Sequence, residues 1–390
     1  MRKVIEGVNK AQAPAGVTVE DWNASIKHYF GEYFRRKSLL HTERELLRSE
    51  LINLAKIQPF KEYTDLLSRL VKMYRSEIRK DPSNAYAFLN PLFMGTVIAD
   101  EKWISLYLTH EPLPKGASLY DRIYKTFDLL DAILEGAYKH HFRLMYGFAI
   151  KSAGGIFPTN VMSADFGALV SQFPVSIASN VALLLKDPEH QIQVNQWRNI
   201  AAHKSFMLKT SRTLEIEYGR TTRHIKRLTP ASVDRVLNWA TCALTTLRLC
   251  NVIIYIEYMR ELKAAGLQDP PIRLESFLTG LCHNLATVGF RCLSDKRRNR
   301  TFTLILRDQL NRPVLDAIIH ASQALDQVSV ALDSDPTRRS RFDRASMRLV
   351  DENNHVLADA SVEINVALAF TLGKIRQKKY VNSINFKIAS

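Results

Sequence analysis

Three side chains suited to phosphate chemistry lie close together in the segment VNQWRNIAAHKSF, residues 194–206. Asn199 follows Arg198 directly, and His203 comes five residues after the arginine. Histidine titrates near neutral pH and can take or give a proton, whereas arginine keeps its charge and binds two phosphate oxygens. RNA cleavage without a metal needs a base for the 2′-OH, an acid for the 5′-leaving oxygen and positive charge on the phosphorane. The segment supplies side chains for each requirement.

Helical geometry predicts how one element presents these groups. Asn199 and His203 are four residues apart and share a face of a helix, and Arg198 lies about 100° away. One helix end can therefore present all three to a single groove, with Asn199 orienting a phosphate or the imidazole.

Spacing alone does not select this pair, because Arg–His pairs with four to six intervening residues also occur elsewhere in the chain. Arg36 and His41 lie in FRRKSLLHTERE, whose dense charge is typical of a solvated linker. Arg348 and His355 flank a turn that contains two asparagines, where a histidine is usually exposed. Only Arg198 and His203 follow a helical run and precede both a β-like segment and a long helix.

The segment RNIAAH resembles the R-x(4–6)-H motif of the HEPN superfamily, whose members are compact helical bundles. The resemblance covers roughly residues 118–265. In the preceding helix, EGAYKHH resembles an acidic-x-x-x-Lys element of some members and makes Glu135 and Lys139 secondary candidates. Ser205 stands where one nucleotidyl-modified variant of the motif has tyrosine, so the regulation of that variant is not carried over.

The resemblance implies a metal-independent endoribonuclease that leaves 2′,3′-cyclic phosphate and 5′-OH ends. It implies a homodimer in which two motifs face each other, since one protomer supplies one such histidine. It also implies a role as a toxin or anti-phage effector, with a regulatory or antitoxin protein as a candidate partner. We expect neither a metal nor a cofactor, and we assign no acid or base role within the symmetric pair.

Two alternatives stay open at the level of sequence. Arg198 and His203 belong to an ordinary helix end if they pair with a carboxylate such as Glu189 or Asp187. The bundle is a non-catalytic RNA- or protein-binding adaptor if it serves for dimerisation alone. His224, in the extended segment after the motif, is a further candidate for the same cleft.

Composition favours a polyanionic partner. The 390-residue chain has a net charge of +15 and a pI near 9.6, and cations near phosphates release condensed counterions. Basic runs in the C-terminal part could bind nucleic acid on a β-scaffold. The candidate contacts are Lys296, Arg297, Arg298, Arg338, Arg339 and Arg341.

The sequence lacks the motifs that identify P-loop ATPases, dinucleotide-binding oxidoreductases, zincins and α/β-hydrolases. The chain contains neither GxxxxGK[ST] nor GxGxxG, and neither HExxH nor GxSxG. Its four cysteines form no CxxC pair, which argues against a zinc site or a disulfide framework and favours a reducing cytoplasm. The N-terminus has no apolar secretory core, and no apolar run is expected to span a membrane.

The predicted fold is α+β, mainly α. We expect a flexible tail over 1–16, a helical region over 17–115, a HEPN-like bundle over 116–268 and an α/β to β-rich domain over 269–390. Apolar spacing predicts helices after Ser118, near 163–186 and from Pro230 to Gly266, and a hairpin or extended loop between the last two. Two similar hairpins are expected around DQLNRP and ENNH, and VALAFTLGKIRQ is either helix or strand.

Overall fold

The computed structural model describes residues 19–109, 113–114, 116–219, 222–268, 274–334 and 341–389. The predicted tail over 1–16 lies outside these residues, as do Arg338 and Arg339. The described residues form two compact units. The bundle unit comprises those within 27–106 and 110–269, and the sheet unit comprises those from 270 onward with 19–26 and 107–109. The predicted fold class, α+β and mainly α, is confirmed.

Twelve α-helices lie between residues 19 and 264 of the described chain. They are α1 Val19–Phe30, α2 Leu39–Thr42, α3 Arg44–Ile57, α4 Lys61–Lys80, α5 Pro82–Thr109, α6 Leu119–Asp131, α7 Lys139–Ser152, α8 Phe166–Ser171, α9 Val175–Ala178, α10 Ala182–Leu185, α11 Val194–His203 and α12 Pro230–Ala264. A π-helical segment, Ala132–Tyr138, joins α6 to α7, and a 3-10 turn, Ser179–Val181, precedes α10. The domain boundary drawn from the sequence near residue 116 lies inside the bundle unit.

Helix α12 forms the centre of the bundle unit and packs against α3, α4, α6 and α7. Thr229 caps it by accepting from the backbone N–H of Ser232, Pro230 occupies its first turn, and Gly266 follows its end with φ +92°. The predicted start and end of this helix are confirmed. Buried tyrosine and tryptophan side chains donate to loop and helix carbonyls, which fixes neighbours of α12: Trp239 donates to Leu183 O at 2.8 Å and Tyr255 to Leu89 O at 3.0 Å.

By length and composition alone, α12 is apolar enough to cross a membrane, contrary to the expectation from the sequence. Within the bundle unit, however, 83% of its most apolar window is buried. The core helix of a globular bundle meets the same criterion, so this result is weak evidence for a membrane span.

Two parts of the helical prediction need correction or refinement. The helix expected near 163–186 is broken into α8, α9, the 3-10 turn and α10, and Pro174 precedes α9. The segment after His203 forms a three-stranded antiparallel sheet rather than a single hairpin. Its strands are β1 Phe206–Thr210, β2 Thr213–Tyr218 and β3 His224–Leu228.

The sheet unit contains one five-stranded sheet of order β4-β5-β6-β7-β8. Only β5 and β6 are parallel among the pairs of this sheet. The strands are β4 Phe290–Arg298, β5 Thr301–Asp308, β6 Arg344–Val350, β7 Val356–Glu363 and β8 Asn385–Ile388. The helices are α13 Leu274–Thr287, α14 Val314–Ser322, α15 Leu325–Ser334, α16 Ile364–Thr371 and α17 Gln377–Val381.

One of the two expected hairpins is present. Strands β6 and β7 pair antiparallel around the ENNH turn, which confirms the second hairpin. The first is wrong, because β5 is followed by helix α14, which begins after Pro313 and buries Ala317, Ile318 and Ala321. The ambiguous VALAFTLGKIRQ segment begins inside helix α16 and is helical as far as Thr371.

The apolar core of the sheet unit lies on one face of the five-stranded sheet. Inward side chains of the strands, such as Phe302, Leu304 and Met347, pack against α13, α14, α15 and α16. Alternate residues of each strand therefore point to the opposite face, which carries polar and charged side chains.

Candidate active site

Helix α11 carries the Arg–His motif, as the sequence predicts. Its buried face consists of Val194, Trp197, Ile200 and Ala201, at the three- and four-residue spacing of an amphipathic helix. His203 is the last helical residue, and Lys204 ends the helix in the left-handed conformation with φ +49°.

A fully buried carboxylate fixes the chain where it enters α11. Asp187 accepts hydrogen bonds from the backbone N–H groups of His190 and Ile192, the latter at 2.8 Å, and from Trp197 Nε1 at 2.8 Å. Because Trp197 lies one residue before Arg198, these bonds anchor the motif to the preceding loop.

Neither carboxylate considered from the sequence pairs with the motif. Asp187 is engaged by the loop and by Trp197. Glu189 accepts two hydrogen bonds of 2.7 Å from Arg235 on α12. The motif therefore finds its partners elsewhere in the bundle unit.

Glu135 is the carboxylate that binds Arg198. Arg198 Nε donates to Glu135 Oε2 at 2.9 Å, and Nη1 donates to Asn199 Oδ1 at 3.1 Å. Lys139 Nζ donates to the other oxygen of Glu135, Oε1. The structure therefore brings together four of the sequence candidates, although Glu135 and Arg198 are 63 residues apart in the chain.

The cations around Glu135 lower its pKa by more than burial raises it. Partial burial alone would raise the pKa of this carboxyl, but hydrogen bonds from Lys139 and Arg198 lower it below its ordinary value. Glu135 is thus held as the anion, and it orients the guanidinium through its Nε edge.

Glu135 lies in the π-helical segment between α6 and α7. The segment inserts a wider turn into an otherwise continuous helical run from Leu119 to Ser152, and π-helical turns inside α-helices are frequent at functional sites. It buries Ile133, Leu134 and Ala137 while Glu135 stays half-exposed toward α11.

His203 is exposed at the end of α11. Among the described residues it has no hydrogen-bond or ion-pair partner, and no buried carboxylate holds its ring. A buried acid therefore does not fix His203. Its imidazole is accessible to a ligand or to a second protein chain.

A second charged group beside His203 was missed by the sequence analysis. Lys204 Nζ lies 2.8 Å from Asp128 Oδ1 and 5.4 Å from the centre of the Tyr124 ring. Burial and the neighbouring acids raise the pKa of Asp131 although Lys204 and Arg198 oppose this. Asp128 and Asp131 lie on α6 at helical spacing before Glu135, and this acidic row was the available signal.

His224 does not join this group in the structure. It begins β3 and stacks on Tyr218, with ring centres 5.2 Å apart. In the described parts of the chain it forms no hydrogen bond or ion pair with Arg198 or His203.

The arginines of the pairs Arg36–His41 and Arg348–His355 are bound by carboxylates of their own. Arg36 binds Glu261 on α12, and His41 is exposed. Arg348 forms two hydrogen bonds with Asp359, at 2.6 and 2.9 Å, while His355 Nδ1 lies 3.1 Å from Asp351. In neither pair do the two side chains share a partner.

The predicted nucleic-acid contacts of β4 point to opposite faces of the five-stranded sheet. Lys296 and Arg298 are exposed and line a groove on the polar face of the sheet. Arg297 lies between them, donates to Asp295 at 2.7 Å and lies over the Phe302 ring of the core-side face. Arg341 is exposed in the turn before β6.

No group of three or more His, Cys, Asp or Glu side chains in the described ranges is positioned to hold a metal ion. Comparisons with models of known protein families, with curated proteins and with solved structures find no match to this chain. The resemblance to the HEPN superfamily rests on the quoted motifs and stays a prediction.

Proposed function

We propose that this chain is a metal-independent endoribonuclease of the HEPN type. One observation carries the proposal: α11 presents an arginine held in place by Glu135 and Asn199, and an accessible histidine on the same helix. An oriented guanidinium can stabilise the phosphorane of 2′-OH transesterification, and a free imidazole can carry out one of its two proton transfers.

In this reaction the ribose 2′-oxygen attacks the adjacent phosphorus while a base takes its proton. The bond between phosphorus and the 5′-oxygen breaks, and an acid protonates the leaving oxygen. The products are a 2′,3′-cyclic phosphate and a 5′-hydroxyl. Water is not consumed in this step, and no redox change occurs.

Arg198 would stabilise the phosphorane. Its Nε and Nη1 groups are engaged by Glu135 and Asn199, and its Nη2 group has no hydrogen-bond partner among the described residues. Glu135 thus acts as a positioning residue that fixes one edge of the fork, and Lys139 holds the second oxygen of Glu135. The Nη2 group is left for a phosphate oxygen.

His203 would transfer the proton. A reaction that needs both a base and an acid is completed if a second protomer brings its own motif across a twofold axis. Two arginines and two exposed histidines then share one cleft, and the phosphate offsets their like charges. We therefore propose a homodimer with a composite site. A cytoplasmic toxin or anti-phage effector, restrained by a regulatory or antitoxin protein, is the role that the resemblance implies.

Chemically altered substrates test the proposed reaction. An oligoribonucleotide mixture should be cut in the presence of EDTA, and one mapped cleavage position should then be replaced by a 2′-deoxynucleotide. We expect loss of cleavage at that position alone and no cleavage of DNA, because the nucleophile is the 2′-oxygen. Continued cleavage beside the deoxy sugar would contradict the mechanism.

A non-catalytic adaptor is favoured by one specific observation. Arg198 is already bound by Glu135 and Asn199, as an arginine with a purely structural role would be. If the pair is only structural, Glu135→Gln and Arg198→Ala should alter folding stability or dimerisation while no RNA is cut by any variant. Sedimentation of the two variants beside the wild type separates this function from the nuclease.

A further inference from the structure

The polar face of the five-stranded sheet contains a groove of about 750 Å³ that belongs entirely to the sheet unit. Among the described residues that line it there are five cations and one carboxylate. The cations are Lys296, Arg298, Arg344, Arg348 and Lys387. Such an excess on a concave surface attracts a polyanion.

Strand register arranges these side chains in rows across the sheet. Arg298 faces Thr301, which in turn faces Arg344, so two arginines lie two strands apart in the first row. Glu363 faces Arg344 and ends this row, with its Oε1 3.8 Å from Arg344 Nη2. On the other side of the groove, Arg348 faces Asp359, which faces Lys387. The two rows are about 13 Å apart along the strands, from a rise of about 3.3 Å per residue.

The row between them is uncharged apart from Lys296 at one end. It continues from Lys296 through hydroxyl and amide side chains on four consecutive strands. These are Thr303, Ser346, Ser361 and Asn385.

We infer that this groove is a binding site for single-stranded RNA, separate from the Arg198–His203 site and independent of the proposed cleavage. The cationic rows match a sugar–phosphate backbone that crosses the strands of the sheet. The hydroxyl and amide row offers hydrogen-bond partners to ribose 2′-OH groups. The signal available in the sequence was the alternation of side chains along β4. Lys296 and Arg298 point to this face, and Arg297 does not.

Two matched double variants of the full-length chain test the site. Arg298→Gln with Arg344→Gln removes two cations from the groove, and Lys378→Gln with Lys379→Gln removes two exposed cations of α17 in the same unit. Both are made in a His203→Ala background, so that cleavage does not consume the probe. Binding of a fluorescent 15-nucleotide RNA is measured by anisotropy over a range of salt concentrations.

Loss of two phosphate contacts should reduce the slope of log K against log salt by about 1.4, at about 0.7 per contact for single strands. If the limit at 1 M salt is unchanged, the groove variant binds about 25-fold more weakly at 0.1 M salt. The α17 variant should stay within about twofold of its parent, as expected for cations that contact no phosphate. Equal losses in both variants, or no loss in the groove variant, would overturn the site.

A gain of binding separates the site from damage to the fold. Asp359→Asn removes the carboxylate that binds Arg348, which frees one cation for phosphate. RNA binding should become about fivefold tighter at 0.1 M salt, from one added contact. Unchanged or weaker binding would contradict the assignment.

Competition between different nucleic acids identifies the ligand. RNA should bind more tightly than DNA of the same sequence, because the hydroxyl and amide row meets the ribose, and more tightly than duplex RNA. Equal affinity for DNA would overturn the choice of RNA, and a preference for duplex would overturn the choice of a single strand.

Discussion

Replacement of Asp187 by alanine should destabilise the bundle unit more than any change in an exposed charge of the same loop. The carboxylate is fully buried and accepts from the backbone N–H groups of His190 and Ile192 and from Trp197 Nε1. Alanine leaves all three donors without a partner. A buried unsatisfied donor costs about 1–3 kcal/mol, so the loss should be about 3–5 kcal/mol after partial access of water.

Matched variants give this prediction its controls. Asp187→Asn keeps one acceptor oxygen and should lose about half as much, whereas Glu189→Ala breaks an exposed pair with Arg235 and should lose less than about 1 kcal/mol. Urea unfolding followed by far-UV circular dichroism measures the three free energies of unfolding. They are comparable if the free energy falls with urea concentration at the same slope in each variant. If Asp187→Ala were as mild as Glu189→Ala, the buried carboxylate would not anchor α11 and the reasoning would fail.

Three further predictions concern buried groups. Arg248→Met leaves Glu50 and Asp100 without the cation between them and should cost about 3–5 kcal/mol in urea unfolding. The matched change Arg235→Met removes an exposed cation and should cost clearly less; equal costs would contradict this. Burial and nearby cations lower the pKa of His140 to about 4, so the unfolded state binds an extra proton between pH 4 and 6.5. Stability should fall as the pH falls through that window, and His140→Gln should have a flatter dependence; an unchanged slope would refute the assignment. The four thiols should resist a thiol reagent until urea unfolds the chain, and rapid native labelling would show that they are accessible. They are Cys242, Cys250, Cys282 and Cys292.

Local signals were sufficient for the long helices. Apolar spacing identified the helical run that begins after Ser118, and the Thr229–Pro230 start with Gly266 at the end bounded α12. Each signal lies within a few residues of the feature it specifies, so tertiary packing did not have to be known. The π-helical segment between α6 and α7 has no comparable signature and was not foreseen.

Short apolar runs were the weak point of the fold prediction. The segment from Val314 to Ser322 has apolar residues that suit a strand or a helix, and it became α14 because one face could cover the sheet. That choice depends on β5 pairing with β6, which is 43 residues further along for the pair Thr301 and Arg344. Non-local pairing of this kind is not written in a local window.

In the candidate site, too, the residues on one helix could be predicted from the sequence, and the contacts between elements could not. Arg198, Asn199 and His203 were found because their spacing on one helix is a local property. The bond between Glu135 and Arg198 depends on packing between α11 and the helical run that contains the π-helical segment, so the sequence offered Glu135 only through resemblance. Asp187 was named as a competing partner of the motif, and its role as a buried acceptor for Trp197 could not be read from a turn sequence.

The measurement that tests the central claim most directly compares RNA cleavage by the wild type, His203→Ala and His224→Ala in the presence of EDTA, with product ends mapped. We predict cyclic phosphate and 5′-hydroxyl ends for the wild type and for His224→Ala at similar rates. For His203→Ala we expect a loss of about 10²–10⁴-fold, the usual contribution of a general acid or base. Cleavage by His203→Ala at the wild-type rate would contradict the account, as would the absence of cyclic phosphate ends.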